Sequence, residues 1–364
     1  MAETKKPTFV NIGADDVVPI LLNIDDLVVV QKFDDCYSFH TTAGLSLQAV
    51  TKDMPSEKDG RKVYDILADD WLERIEDAGK GLLKTHHAWL PGTDEEKTWN
   101  SYVNPEKVAY VTVSEAEEQN GKSDMVHYFI GLENHIDRME SHGTHQKDIE
   151  EFIEIVEEVK GKSFTRIDHD EATADFFGES YAVFDPDMVT TICANGHDIR
   201  LDVSGTGYPL DFRLPDIDDQ PIFQQIIAND PDLIKTDQNK IYSMMYQEKD
   251  RLRKEAHVAL ADKLSALCPH LTEIPGADQP FYTRTDDIES IRYHKWDKGG
   301  AALTVLYNKN KQGVPYQTYP KTHDVRYESA EKALKVFNQM AGLPRQPKGN
   351  KQRNIRRYRQ RHSR

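Results

Sequence analysis

Nine cationic side chains and no carboxylate stand between Arg345 and Arg364: Arg345, Lys348, Lys351, Arg353, Arg356, Arg357, Arg359, Arg361 and Arg364. Seven of them are arginines, and a planar guanidinium grips phosphate through paired hydrogen bonds and stacks on bases. Tyr358 stands among them as a further stacking surface. Pro, Gly, Gln and like charge predict a segment that is disordered in isolation. Arginine-rich segments commonly fold on RNA. A helix from Lys351 onward would put Arg353, Arg356, Arg357, Arg361 and Arg364 on one face. Two other readings stay open: a segment that grips an acidic protein surface, its own body included, and a solvated end with no specific partner.

A second group mixes cations and aromatics. Arg292, Lys295 and Trp296 fall in the run Arg292-Tyr293-His294-Lys295-Trp296, and Lys298 follows. Lys309 and Lys311 lie in the next polar segment, which runs on to Tyr316, Tyr319 and Lys321. Aromatics beside cations suit single strands, because every base has a face to stack. The plainer alternative is an amphipathic strand with Trp296 at a hairpin edge.

Other chemistry is less well supported. His135, His142 and His145 fall in an expected loop and lack the i, i+4 helical spacing of a zinc protease pair. His86 and His87 are adjacent and would not face one another on a helix. Cys193 and Cys268 sit in apolar contexts, as buried cysteines do. Asp15-Asp16, Asp34-Asp35, Asp185 with Asp187, and Asp216 with Asp218-Asp219 match no spacing that has a mechanism. No phosphate-binding glycine loop or nucleophile elbow occurs. The expectation is therefore no catalytic residue, no metal and no cofactor.

Four segments read alike and must position these groups. Each is a polar, turn-forming cluster followed by an apolar strand, aligned on Leu27, Val108, Val189 and Ile288. Asn, Asp and Pro set the turns, and β-branched residues favour the strands. A second strand follows each anchor, for example Val126–Ile130 and Leu303–Tyr307. A third is expected in most, such as Leu45–Val50, whose apolar residues alternate. An amphipathic helix then closes each unit: Val63 to Trp71, Ile149 to Val156, Ile222 to Ile227, and Ala333 to Met340. A long extra helix is expected from about Lys240 to Cys268, bridging two units or contacting a second copy. The order predicts an α+β fold of four degenerate antiparallel meander-plus-helix (β-β-β-α) repeats. Paired repeats would give domains at 8–160 and 164–344, with a disordered tail at 345–364.

A tandem of short meanders, each ending in a helix, resembles the PUR-type repeats of the Pur-alpha family and, more distantly, the Whirly fold. The resemblance implies that repeats pair and that curved sheet faces bind single-stranded DNA or RNA. The acidic four-unit body with an Arg-rich tail also resembles the chimallin-C-type RNA-binding proteins of the shell in nucleus-forming jumbo phages. That likeness implies a phage protein acting on phage mRNA.

Charge divides the chain in the same sense. The net charge of −16 averages a tail of +9, a segment 281–344 of +3 and residues 1–280, where 27 bases meet 55 acids. Such asymmetry points to a polyanion-binding end. The acidic remainder should repel RNA and face proteins instead. The expected function is single-stranded nucleic-acid binding, RNA before single-stranded DNA. Multivalent contacts of the tail would support condensates. The alternative is a viral or polymerase-associated assembly protein whose basic tail binds an acidic partner, and a nucleic-acid enzyme is the third class. A homo-oligomer is open. No apolar run spans a membrane, no secretory signal is legible, and three scattered cysteines suit a reducing cytoplasm, the host's for a phage protein.

Overall fold

The polar clusters before the four anchors each fold into one turn of 3-10 helix: Ile24–Asp26, Pro105–Lys107, Pro186–Met188 and Thr285–Asp287. In the first three, the side chain of Asn23, Asn104 or Asp185 accepts the backbone N–H two residues on, the Asx geometry that makes these residues turn formers. Arg284 has no such oxygen, and the fourth turn lacks a side-chain cap. Leu27, Val108, Val189 and Ile288 each begin a strand. In each the register with the following strand then slips, between Leu27 and Val29, Val108 and Tyr110, Val189 and Thr191, and Ile288 and Ser290. Such a bulge bends the strand and raises its twist.

The computed structural model describes residues 7–12, 21–32, 36–42, 46–50, 57–58, 61–88, 98–114, 125–133, 139–296, 299–307 and 322–340. These form a mixed α+β protein with seven helices and several antiparallel sheets. A ladder of β1 (Phe9–Asn11) and β2 (Leu21–Asn23) precedes the first turn. After the turn come β3 (Leu27–Lys32), β4 (Cys36–Thr41) and β5 (Ser46–Val50), then the short hairpin of β6 (Glu57–Lys58) and β7 (Arg61–Lys62) and helix α1 (Val63–Asp77). Two strands, β8 (Leu83–Ala88) and β9 (Thr98–Val103), lead to the second turn and complete a first sheet of order β5-β4-β3-β9-β8.

The second sheet repeats this order. Its meander is β10 (Val108–Ser114), β11 (Met125–Leu132) and β12 (Met139–His145), followed by α2 (Gln146–Lys160). The two lead-in strands are β13 (Thr165–Asp168) and, after α3 (Glu171–Phe177), β14 (Tyr181–Phe184), giving β12-β11-β10-β14-β13. This sheet draws strands from both sides of residues 160–164. The third is β17-β16-β15-β19-β18, from β15 (Val189–Asn195), β16 (Asp198–Val203), β17 (Leu210–Arg213), β18 (Thr272–Glu273) and β19 (Phe281–Thr283). Helices α4 (Asp219–Asn229), α5 (Leu233–Thr236) and α6 (Gln238–Ser265) lie between β17 and β18. The fourth has three strands, β20 (Ile288–Lys295), β21 (Ala301–Tyr307) and β22 (Thr322–Tyr327), with α7 (Ala330–Met340) after them.

Apolar cores fill the spaces between these sheets. Val29 and Val103 of the first sheet pack with Val111 of the second and with Ile149, Phe152 and Val156 of α2. Tyr110 and Phe184 of the second sheet pack with Ile192 and Leu201 of the third. The first two sheets thus bury both faces near their lead-in strands, which is why β10 and β14 are buried at every position; β14 reads as an unbroken apolar run, and β10 is interrupted only by Thr112 and Ser114. The first core takes Trp71 and Ile75 of α1, with Trp71 edge-on to Tyr37 and Phe39 at 4.9 and 5.4 Å.

Two expectations need correction. The helix expected to close the third unit, α4, packs Ile222 and Ile226 with Leu233 and Ile241 in a separate cluster. The third sheet is covered instead by Ala261 and Leu264 of α6, with Cys268 just beyond. An amphipathic stripe states that a face is buried, not against which element. The histidines expected in a loop divide: His142 and His145 lie on β12, whereas His135 lies outside the described residues. Alternation there is broken by Gly143 and by polar side chains, so the strand left no apolar period to read. No helix among the described residues is long and apolar enough to cross a membrane.

Candidate nucleic-acid interface

The fourth sheet is covered on one face by α7, whose Ala333 and Val336 meet Leu303, Val305, Val325 and Tyr327, with Ile291 and Tyr293 packed alongside. Strand alternation sends the intervening residues to the opposite face. Register fixes them in rows: Arg292 opposite Thr304 opposite Asp324, and His294 opposite Ala302 opposite Arg326. Arg292, His294, Asp324 and Arg326 are exposed. Thr304 Oγ1 donates to Asp324 at 2.6 Å. Among the described residues no carboxylate pairs with Arg292, Lys295 or Arg326, whereas Arg200, Arg213, Arg251 and Arg284 all hold one.

Trp296 closes the row of Arg292 and His294 at the end of β20. Its backbone N–H donates to Gly300 O at 2.9 Å, and Gly299 turns the chain with φ of 95°. A Cβ on Gly300 would stand 2.9 Å from the indole ring and 3.1 Å from Tyr327 O. The glycine therefore lets the ring lie against the hairpin while 44% of Trp296 remains exposed. An aromatic face held this way costs little ordering entropy when a base stacks on it.

Beside β22 the sheet borders a cleft of about 360 Å3, lined by Asn195, Arg200, Phe281, His323, Asp324 and Arg326 among others. Burial alone would lower the Arg200 guanidinium, but the bond to Asp211, at 3.0 Å, holds it above its ordinary value. Arg200 is thereby paired, and among the described residues lining the cleft Arg326 is a cation with no carboxylate on it. His323 faces inward, edge-on to Phe281 and Tyr307, with Nε2 2.8 Å from Asp202 Oδ2. Burial holds the hydroxyls of Tyr307 and Tyr327 above their ordinary range, the latter at about 12. Both are buried in the fourth core and uncharged at neutral pH.

Of the residues singled out in the sequence, the structure brings Arg292 and Trp296 to one face. Lys295, one position out of phase, falls to the other side of the strand at its exposed end. Lys298, Lys309, Lys311 and the whole tail (Arg345, Lys348, Lys351, Arg353, Arg356, Arg357, Tyr358, Arg359, Arg361 and Arg364) lie outside the described residues. Sequence reasoning passed over Arg326 and did not weigh His294 as a binding residue. The signal for Arg326 was there: Thr322 to Tyr327 alternates, with Val325 and Tyr327 inward, which puts Asp324 and Arg326 outward. Cys193 and Cys268 are buried, and burial pushes the Cys268 thiol up to about 12.

Comparison of the chain with protein-family models, with curated proteins and with solved structures gives no match.

Proposed function

We propose that this chain binds single-stranded nucleic acid, RNA first, through the open face of the fourth sheet and the Arg-rich segment 345–364. The observation that carries the reading is the face that joins Arg292, His294, Arg326 and Trp296 with no carboxylate on either guanidinium. Its chemistry is sequence-tolerant: guanidinium to phosphate, indole to base. The tail supplies most of the charge neutralisation, and the sheet supplies stacking. The acidic remainder, 27 bases against 55 acids over residues 1–280, holds the polymer to that end of the molecule.

The same reading takes the chain as four copies of one meander-plus-helix unit. Support comes from one 3-10 turn, one bulge at the same offset from the anchor, and one order of strands in the first three sheets. PUR-type pairing of the units and action on phage mRNA remain part of this proposal through resemblance alone.

Electrophoretic shifts on single-stranded RNA, single-stranded DNA and duplex test it, with the intact chain beside a chain ending at residue 344. The expected result is tight binding to single strands, most of it lost on truncation, with a residue that Trp296→Ala and Arg326→Ala remove. Equal binding by the truncated chain, or none by the intact chain in dilute buffer, overturns the proposal.

A further inference from the structure

We propose that copies of this chain join head to tail, with the β1–β2 ladder of one copy completing the fourth sheet of the next. The inference rests on strand register within the chain and is independent of nucleic-acid binding.

In the first three sheets, the first meander strand pairs on its outer side with the strand that leads into the next turn. The register is the same each time. Val29 stands opposite Val103, Tyr110 opposite Phe184, and Thr191 opposite Thr283. In every case a residue two past one anchor meets a residue five before the next. The backbone N–H one residue further on then donates across the junction: Asn104 to Val28 O at 2.9 Å, Asp185 to Ala109 O at 3.2 Å, and Arg284 to Thr190 O at 3.0 Å. Among the described residues the fourth sheet has no such strand. Among the described residues, nothing pairs with the outer edge of β20.

The missing piece stands at the other end of the molecule. β2 leads into the first turn as β9, β14 and β19 lead into the others, and its partner β1 is in the matching register. Val10 faces Leu22 as Leu83 faces Val103, Thr165 faces Phe184 and Thr272 faces Thr283. Among the described residues the outer edge of β2 also pairs with nothing.

The side chains match as well. Six residues before each later anchor stand Tyr102, Val183 and Tyr282, each packed on the core of the preceding sheet. The residues just before β8, β13 and β18 (or at the equivalent register) are Leu82, Phe164 and Leu271, and they too pack on the preceding core. The equivalents in the first lead-in are Leu21 and Phe9. They are 63% and 56% exposed. On the receiving strand, Val30, Val111 and Ile192 are fully covered, but their equivalent Ile291 is only half-buried. Seating the ladder of a second copy on β20 would put Leu22 opposite Ser290 and Leu21 opposite Ile291. Phe9 would then lie against the fourth core. The new strand adds main-chain hydrogen bonds at an open edge, and alternate side chains set specificity. Charge agrees: the segment 281–344 carries +3, and the body that would approach it is strongly acidic.

Such a contact is heterologous, so it closes into a ring or runs on as a filament. The test uses sedimentation velocity on the intact chain and two surface variants. Phe9→Ser with Leu21→Lys spoils the donor ladder, and Ser290→Lys spoils the receiving edge. All three positions are exposed in the single chain, so the variants should keep its circular dichroism and melting temperature. The intact chain is expected to gain mass with concentration, at low and high salt alike. Each variant alone should stay monomeric. An equimolar mixture of the two retains one good donor and one good acceptor, and should stop at a species of twice the monomer mass. An intact chain that is monomeric at every concentration overturns the proposal. So does association that both variants retain, that the mixture fails to restore, or that high salt abolishes; the last would mark a contact of the basic tail with the acidic body.

Discussion

Asp185 shows how much one residue of the recurring turn can carry. Its Oδ1 accepts the N–H of Asp187 at 3.1 Å, and its other oxygen meets Lys162 at 2.6 Å and the buried Lys160 at 3.9 Å. Burial lowers the Lys160 ammonium, and Glu133 and Asp185 only partly offset it. Asp185→Ala uncaps the turn and leaves the buried ammonium with Glu133 alone, so about 3 kcal/mol of stability should be lost in denaturant melts. Asp185→Asn keeps the cap and should lose less. His257 is buried in α6. Burial first, then the charges of Arg253 and His197, hold its imidazole below the ordinary value, against the pull of the Arg253 carbonyl. The unfolded chain then binds the extra proton, so stability is full above the unfolded histidine pKa of about 6.5 and falls as pH drops below it. Melting temperatures should decline from neutral to mildly acid pH, and less steeply for His257→Met. At the interface, Trp296→Ala should weaken single-strand binding by ~1–3 kcal/mol in titrations while leaving the melt unchanged. The turn-forming roles of Asn104 and Asp185 were legible in the sequence because an Asx turn is closed within three residues. The partner of Lys160 was not, because it lies 25 residues away.

Among the elements, α6 departs furthest from its reading. Its N-terminal half gathers α4 and α5 around Ile241, and its C-terminal half covers the third sheet through Ala261 and Leu264. The two halves should therefore respond differently to truncation. Leu264→Ala opens a cavity in a core shared with the second sheet, and should cost roughly 3 kcal/mol in global unfolding. Ile222→Ala should loosen α4 with a smaller global effect, seen as faster hydrogen exchange confined to residues 219–241. The apolar residues that the sequence places in one stripe along this helix are Met245, Leu252, Ala259, Leu260, Leu264 and Leu267; all but the exposed Ala259 line a packed side, and Ile241 and His257 join them. A helix of 28 residues drifts relative to any single straight stripe, so the buried face changes partners along its length.

For the whole molecule, asymmetry of charge and asymmetry of edges point along one axis. The basic fourth sheet and tail lie at one end of the chain, and the acidic sheets and the exposed Phe9 and Leu21 at the other. If all nine tail cations release counterions from a single strand, log affinity against log salt should fall with a slope near −6, as an upper bound. Filter binding over a salt series measures it, and truncation at residue 344 should flatten the slope. Self-association through the β20 edge should be far less sensitive to salt, since a strand ladder and two apolar side chains carry it. Ionic strength alone should therefore separate the two proposed activities in one preparation.

Turn residues, strand starts and three of the four closing helices could be read from the amino acids directly. Each depends on contacts within a few positions, where spacing and backbone preference act without help. The basic end and the acidic remainder were legible for the same reason: charge is additive along a chain. Which strand flanks which was decided only in three dimensions. Pairing of β10 with β14 joins residues some seventy positions apart, and a ladder rewards burial on both sides more than any local preference. The same holds for Arg326, which meets Arg292 and Trp296 only because β22 takes its place beside β21. The open edge of β20 has no sequence signature at all. It exists because, among the described residues, the tertiary arrangement gives three sheets a fourth and fifth strand and leaves the last with three.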